Sequence, residues 1–293
     1  MLKVLYFSPT GGTRDLVSKL ADYIKDGIGN QYMLSDSLCK NEADASGKVR
    51  MAYIDVTSPM MREMDYQFSK DDTVLIAAPT YAGRIPNKVM PFFRDHIKGQ
   101  GARCIIMMSY GNRSYDNSLI EMVRLMEANE FAVIGAAAFV TRHSMSQTLA
   151  AGRPDQEDLQ ELQAYAKQMC DKLLRLKDGK DAQDLVIHME GEVGPYYVPK
   201  KEDGEKAVFL KSRPVLDREL CSQCGRCEEV CPMGSISAEN AYETTAICIK
   251  CHACIRACPM GARHFEHPDL LSHIRMIEKN YGPTRADNHW IAE

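Results

Sequence analysis

The chain has 293 residues, 45% hydrophobic and 26% charged, with a formal net charge of -4. That length predicts two domains, the composition argues against a disordered or membrane-embedded chain, and the charge offers no basic footprint for nucleic acid or anionic lipid. Of its 11 cysteines, all but Cys39, Cys104 and Cys170 fall between Cys221 and Cys258.

The opening run Met1-Leu-Lys-Val-Leu-Tyr-Phe7 is short, interrupted by Lys3 and followed by turn residues. It reads as a first strand, with none of the features of a secretion signal. No apolar stretch nears the roughly 20 residues that a membrane helix needs. A soluble, cytoplasmic protein without membrane insertion is therefore expected, and in that reducing compartment clustered cysteines favour metal ligation over disulfides.

Apolar runs at Lys3–Ser8, Met51–Val56, Thr73–Ala78, Ala102–Ser109 and Ala132–Val140 predict five strands, several apolar throughout as strands buried on both faces are. Helical patterns fit between them at Arg14–Lys25, Asn87–Ile97 and Ser114–Asn129. The predicted fold is α/β, a flavodoxin-like five-stranded doubly wound parallel sheet.

The first strand runs into Ser8-Pro-Thr-Gly-Gly-Thr13 and then a helix. Backbone N–H groups and the Ser8, Thr10 and Thr13 hydroxyls can surround a phosphate at the positive end of that helix. The Walker A lysine and the G-x-G-x-x-G of dinucleotide folds are both missing, so a nucleoside triphosphate or NAD is not supported. A terminal monophosphate remains, and on this sheet that points to FMN. Ala78-Pro79-Thr-Tyr-Ala-Gly-Arg84 follows the third strand and Tyr110-Gly-Asn-Arg-Ser-Tyr-Asp-Asn117 the fourth, both outside carboxyl ends, where open α/β sheets bind ligands. Tyr81 and Tyr110 can flank the flavin ring. After the fifth strand, Arg142 and His143 open a loop from Ser144 to Arg153. They are candidate catalytic residues, with His143 a proton donor near physiological pH; the alternative is a loop histidine without catalytic duty.

Leu159, Leu162, Ala166, Met169, Leu173 and Leu176 recur at helical steps. Acidic Asp155, Glu157 and Asp158 precede them, and Lys172, Arg175, Lys177 and Gly179 close the helix. That places a first, FMN-binding domain at 1–178. Residues 179–212 read as a linker with a possible hairpin, Tyr196–Val198 against Ala207–Lys211. A cluster domain follows at 213–266, and 267–293 is a helix around Leu270, Leu271, Ile274 and Ile277 with a polar tail.

The pattern Cys-x2-Cys-x2-Cys-x3-Cys-Pro occurs at 221–232 and again at 248–259. It is the spacing of bacterial two-cluster ferredoxins, in which the fourth cysteine of each run ligates the other cluster. One [4Fe-4S] cluster is then assigned Cys221, Cys224, Cys227 and Cys258, and the other Cys248, Cys251, Cys254 and Cys231. Two four-thiolate zinc sites are the alternative that ligand count leaves open, though the repeated three-thiolate run favours iron–sulfur. His252 reads as a solvated spacer, and Cys39, Cys104 and Cys170 as small buried residues. With all eight thiolates used, neither cluster keeps an open position, so electron transfer is the expected role.

Over residues 1–178 and 213–266 the chain resembles the flavodoxin–ferredoxin fusion proteins of anaerobic bacteria and archaea. The resemblance implies two [4Fe-4S] clusters and FMN, with the phosphate at Ser8, Thr10, Gly11, Gly12 and Thr13. It implies flavin-ring contacts from Thr80, Tyr81, Ala82 and Gly83, and from Tyr110, Gly111, Asn112, Arg113, Tyr115 and Asp116. Unlike small flavodoxins, the second loop lacks a tryptophan; a cation at Arg84 or Arg113 would favour two-electron flavin chemistry. Three functions follow as expectations: an electron-transfer module, a flavin-dependent reductase wired by the clusters, or a redox-responsive binding protein. Expected partners are a ferredoxin-like donor or reductase, a small-molecule acceptor and a second copy of the chain. Direct use of NAD(P)H has no motif to support it.

Overall fold

The structure is a computed structural model that describes residues 1–32, 50–177 and 185–292. Cys39 and Gly179 lie outside the described residues. The first part contains β1 (Leu2–Tyr6), α1 (Gly12–Tyr32), β2 (Met51–Asp55), a 3-10 turn at Met60–Glu63, β3 (Tyr66–Gln67), β4 (Thr73–Pro79), α2 (Met90–Asp95), β5 (Ile97–Lys98), β6 (Arg103–Tyr110), α3 (Ser118–Ala128), β7 (Ala132–Val140) and α4 (Gln156–Lys177). The second contains β8 (Val215–Leu216), α5 (Arg226–Glu229), α6 (Ala253–Ala257), β9 (Arg263–His264), α7 (Pro268–Tyr281) and β10 (His289–Ile291).

The main sheet has the order β10-β7-β6-β4-β1-β2. Its five predicted strands are parallel and stand in the spatial sequence 2-1-3-4-5, the flavodoxin-like doubly wound order. β4 and β7 are buried on both faces along almost their whole length, which is why their sequences read as unbroken apolar runs. Alternate residues serve two cores. Val74, Ile76, Ile106 and Met108 pack with Leu119, Met122 and Met126 of α3, whereas Leu75, Ile105, Met107 and Phe139 pack with Leu16, Leu20 and Ile24 of α1 and Leu162, Tyr165 and Met169 of α4.

Local chemistry sets the element ends. Asp155 caps α4, its Oδ1 accepting from the Glu157 and Asp158 N–H groups at 3.1 Å, while Asp158 Oδ2 accepts from the Asp155 N–H at 2.8 Å. α2 is shorter than the predicted Asn87–Ile97 helix because Ile97 is drawn into a two-residue pairing of β5 with β3.

Two expectations are corrected. The 267–293 tail returns to the first part, where β10 pairs antiparallel with β7 and makes the sheet six-stranded. Trp290 stacks on Phe139 with 6.1 Å between centroids, and Asn288 accepts from the Val140 N–H at 2.7 Å. The hairpin predicted in the linker is present but shorter than expected, with Lys200 bridging Lys206, Lys201 N–H donating to Glu205 O at 2.8 Å and Ala207 N–H to Pro199 O at 2.9 Å. The start of its predicted first arm is engaged elsewhere: Tyr197 N–H donates to Ala82 O at 2.8 Å, and Gly194 O accepts from Arg84 at 2.6 Å. Residues 194–197 therefore form a strap across the loop that follows β4, whereas Ile187 N–H donates to Val133 O near the amino end of β7 at 2.9 Å. Among the described residues no helix is long and apolar enough to cross a membrane.

Candidate functional site

A cavity opens at the carboxyl ends of β1, β4, β6 and β7, where the loops predicted to hold a flavin meet. Thr10, Gly12, Thr13, Pro79, Thr80, Tyr81, Tyr110, Gly111, Arg142 and His143 all line it, together with Ser109 and Thr141. The first N–H groups of α1, which a helix leaves without internal partners, belong to Gly12 and Thr13 of this cavity. Ser8 supports the turn from behind, its Oγ accepting from the Arg14 N–H at 3.0 Å, and the Thr13 and Ser109 hydroxyls lie 2.7 Å apart. Space is the second constraint. A Cβ on Gly12 would lie 2.6 Å from Thr141 Oγ1, and one on Gly111 would collide with His143. Hydroxyls, orphan N–H groups and two obligatory glycines suit a phosphate and a flat ring, so the residues present fit FMN.

Several residues that the resemblance implied stand outside this cavity, engaged elsewhere. Arg84 pairs with Glu121 at 2.5 Å, and its guanidinium lies 4.8 Å from the Tyr196 ring. Arg113 pairs with Asp116 and stacks 3.9 Å from the Tyr197 ring. Both arginines therefore fasten the strap. Asn112 donates to Tyr281 O at 2.6 Å and Thr284 O at 2.8 Å, while Tyr115 packs its ring between Tyr110 and His289. Gly11, with φ of 86°, shapes the turn; Ala82 and Gly83, with φ of 49° and 75°, shape the next loop.

His143 keeps its place at the cavity but not the acid role expected of it. Its Nδ1 accepts from the Met145 N–H at 3.2 Å, which assigns the ring proton of the neutral form to Nε2. Burial, with His252, His273, Arg256 and Arg113 nearby, pushes its pKa down to about 3. His143 is thus neutral at physiological pH, a hydrogen-bond donor. Because the unfolded chain takes up this proton near pH 6.5 and the folded chain does not, the group favours folding above that value and this contribution declines as pH falls toward 3. His143→Gln is expected to flatten the loss of stability between pH 6.5 and 4, read as urea midpoints at several pH values. An unchanged slope would show that His143 is not held neutral.

The cysteine repeat recurs in backbone as well as in sequence. Gln223 and Lys250 share a φ of 56°, Gly225 and His252 have φ of 75° and 62°, and Gly234 and Gly261 have φ of 57° and 64°. Cys221 and Cys248 each accept an N–H from two residues on, at 3.4 Å, and Cys231 and Cys258 from four residues on, at 3.3 Å. Four thiols, Cys231, Cys248, Cys251 and Cys254, line one apolar cavity with Met233, Ile236, Ile249 and Phe265. These four span both repeats, and they are the set that crossover ligation assigns to one cluster.

Two buried nitrogens in that wall, His252 Nε2 and Arg263 Nε, have no hydrogen-bond partner. Cluster sulfides would supply the missing acceptors. Burial raises the Cys251 thiol strongly and pushes Cys254 up to about 12, so only a bound metal group makes them thiolates at neutral pH. His252 is itself buried, its ring 4.9 Å from Phe265, which corrects its reading as a solvated spacer. The remaining set is more open, with Cys224 exposed and Cys221, Cys227 and Cys258 half-buried. Among the described residues no three His, Cys, Asp or Glu side chains gather as a site for one metal ion. Cys104 and Cys170 are buried, as expected of small apolar side chains.

The two cavities have no lining residue in common, but the segments around them are joined. Burial, and after it the nearby Cys251 sulfur, pushes the Tyr81 phenol well up, and Tyr81 also lines the first cavity. Arg256, on α6 between Cys254 and Cys258, donates to the carbonyls of His143, of Ser144 at 3.1 Å and of Ser146 at 3.2 Å. A small core of Phe209, Phe265 and Leu270 against Met145 seals the junction.

Residues 214–237 match a 4Fe-4S binding domain, and residues 245–261 match a second. A search of the curated proteins finds no match. Among solved structures, the chain is similar to a flavodoxin of Streptococcus pneumonia TIGR4, with 17% identity over 58% of this chain and 98% of that one and a TM-score of 0.36. It is similar also to a short-chain flavodoxin associated with a PDU bacterial microcompartment, at 16% identity over 57% and 95%, TM-score 0.34. A third is the rubredoxin oxygen:oxidoreductase of Desulfovibrio gigas, at 14% identity over 61% and 37%, TM-score 0.36. A flavodoxin-like strand order followed by two 4Fe-4S binding segments makes this chain an electron-transfer protein with the make-up of a flavodoxin–ferredoxin fusion.

Proposed function

We propose that the chain carries electrons one at a time from the exposed cluster at Cys221, Cys224, Cys227 and Cys258, through the inner cluster at Cys231, Cys248, Cys251 and Cys254, to FMN in the cavity lined by Thr10, Gly12, Thr13 and Tyr81. When bound, the clusters supply one-electron steps and the flavin stores two electrons, so that single-electron supply becomes two-electron output. The observation carrying this reading is Arg256, which lies between Cys254 and Cys258 and donates to the carbonyls of His143 and Ser144, two residues that line the flavin cavity.

The residues divide the work. Gly12 and Thr13 place α1 N–H groups for the phosphate, and Arg256 holds the cluster helix against the His143–Ser146 loop. Neutral His143, with its ring proton on Nε2, lines the flavin cavity as a hydrogen-bond donor. The openness of Cys224 suits electron entry from a protein donor.

A second reading, reduction of a small acceptor at the flavin, has one observation in its favour: Arg142 is exposed at the cavity rim and suits an anionic acceptor. Anaerobic purification with iron, sulfide and FMN quantification tests the first reading, which expects about eight iron atoms and one FMN per chain. Zinc in place of iron, or the absence of flavin, would sink it.

A further inference from the structure

Two arginines, Arg62 half-buried and Arg263 buried, stand near the inner cysteine set without carboxylate partners among the described residues. Arg62, on the 3-10 turn of the first part, is half-buried, with its Nη1 donating to Val56 O and Thr57 O at 2.7 Å each. Its Nη2 reaches across 170 positions to Pro232 O, the carbonyl next to Cys231. The Phe7 ring lies 5.3 Å from the guanidinium, and Pro232, whose carbonyl it reaches, lines the inner cavity together with Cys231. Arg263, 2% exposed, stands by Cys254 and donates to Ala241 O. Among the described residues neither arginine has a carboxylate partner. Carbonyls accept from Arg62 and from Arg263 Nη2, while Arg263 Nε is left without a partner, and no carbonyl offsets a charge; a desolvated cation without an anion is costly. A four-thiolate [4Fe-4S] cluster is an anion, and it gains one further negative charge on reduction.

We propose that Arg62 is a built-in counter-charge of the inner cluster, so that the flavodoxin-like part sets the reduction potential of a cluster it does not ligate. Arg263 supplies the matching charge from within the cluster domain. A fixed cation stabilises the reduced, more negative cluster and raises its potential. Arg62 also joins the two parts, its Nη1 on Val56 O and Thr57 O and its Nη2 on Pro232 O beside Cys231, so docking of the two parts and the electronic state of the cluster are set by one side chain.

This rests on the two-cluster reading, and the experiment separates the two. Iron and sulfide content of the full wild-type chain come first: fewer than two clusters' worth fails that reading itself. Potentiometric titration followed by EPR then compares the wild type with Arg62→Gln and Arg62→Lys. In the glutamine variant one cluster step should become harder to reduce by roughly tenfold in the reduced-to-oxidised ratio, about 59 mV for one electron, while the other cluster step stays in place. Lysine, which keeps the charge and loses the fork, should restore most of the shift. Unchanged potentials at full iron content would overturn the proposal, and so would a lysine variant that falls as far as glutamine. If glutamine abolishes loading of one cluster, retention of that cluster by lysine supports the charge role and its loss overturns it.

Discussion

Replacing Cys231 with Ala is expected to remove the inner cluster and spare the outer one, lowering iron from about eight atoms per chain to about four. Cys231 belongs to the first repeat, yet it lines the cavity of Cys248, Cys251 and Cys254 from the second. Crossover is tested by pairing variants. Cys231→Ala with Cys251→Ala should lose no more iron than either alone, because both cysteines serve one cluster. Cys231→Ala with Cys224→Ala should lose nearly all of it. The reverse pattern would assign each repeat its own cluster and remove the basis for an inner and an outer site.

Gly12→Val is expected to weaken FMN binding about 100-fold while leaving the iron content unchanged. Even a Cβ at this position would lie 2.6 Å from Thr141 Oγ1, and valine adds two methyl groups beyond it. Relief of that contact must move either β7's end or the first turn of α1, which carries the phosphate-facing N–H groups. Titration of the apoprotein with FMN, followed by quenching of flavin fluorescence, reads the effect. Wild-type affinity in this variant would show that the phosphate is held elsewhere.

The sheet was legible because its strands are buried on both faces, so Thr73–Pro79 and Ala132–Val140 stand out as apolar runs. The flavin loops were legible because a doubly wound sheet places its ligand at the strand ends, which the order of elements already fixes. The cysteine repeat was legible from spacing alone. What escaped depends on distant contacts. Nothing local marks His289–Ile291 as a strand; its pairing is decided by Trp290 on Phe139 and Asn288 at Val140. Arg84 and Arg113 sit in flavin loops by sequence, but buried Glu121 and the Tyr197 ring compete successfully for them. His252 looked solvated among polar neighbours until Phe265 and the cavity wall enclosed it. Arg62 gave no signal at all, since its partner Pro232 lies in the other half of the chain.

The central claim is that electrons pass from cluster to flavin within one chain, across the junction where Arg256 of the cluster helix meets the His143–Ser144 edge of the flavin cavity. Flash photoreduction delivering less than one electron per chain, monitored at cluster and flavin wavelengths, tests it most directly. The account predicts cluster reduction followed by flavin reduction at a rate that does not change when the protein is diluted. A flavin rate that falls in proportion to concentration, or an electron that never leaves the clusters, would contradict it.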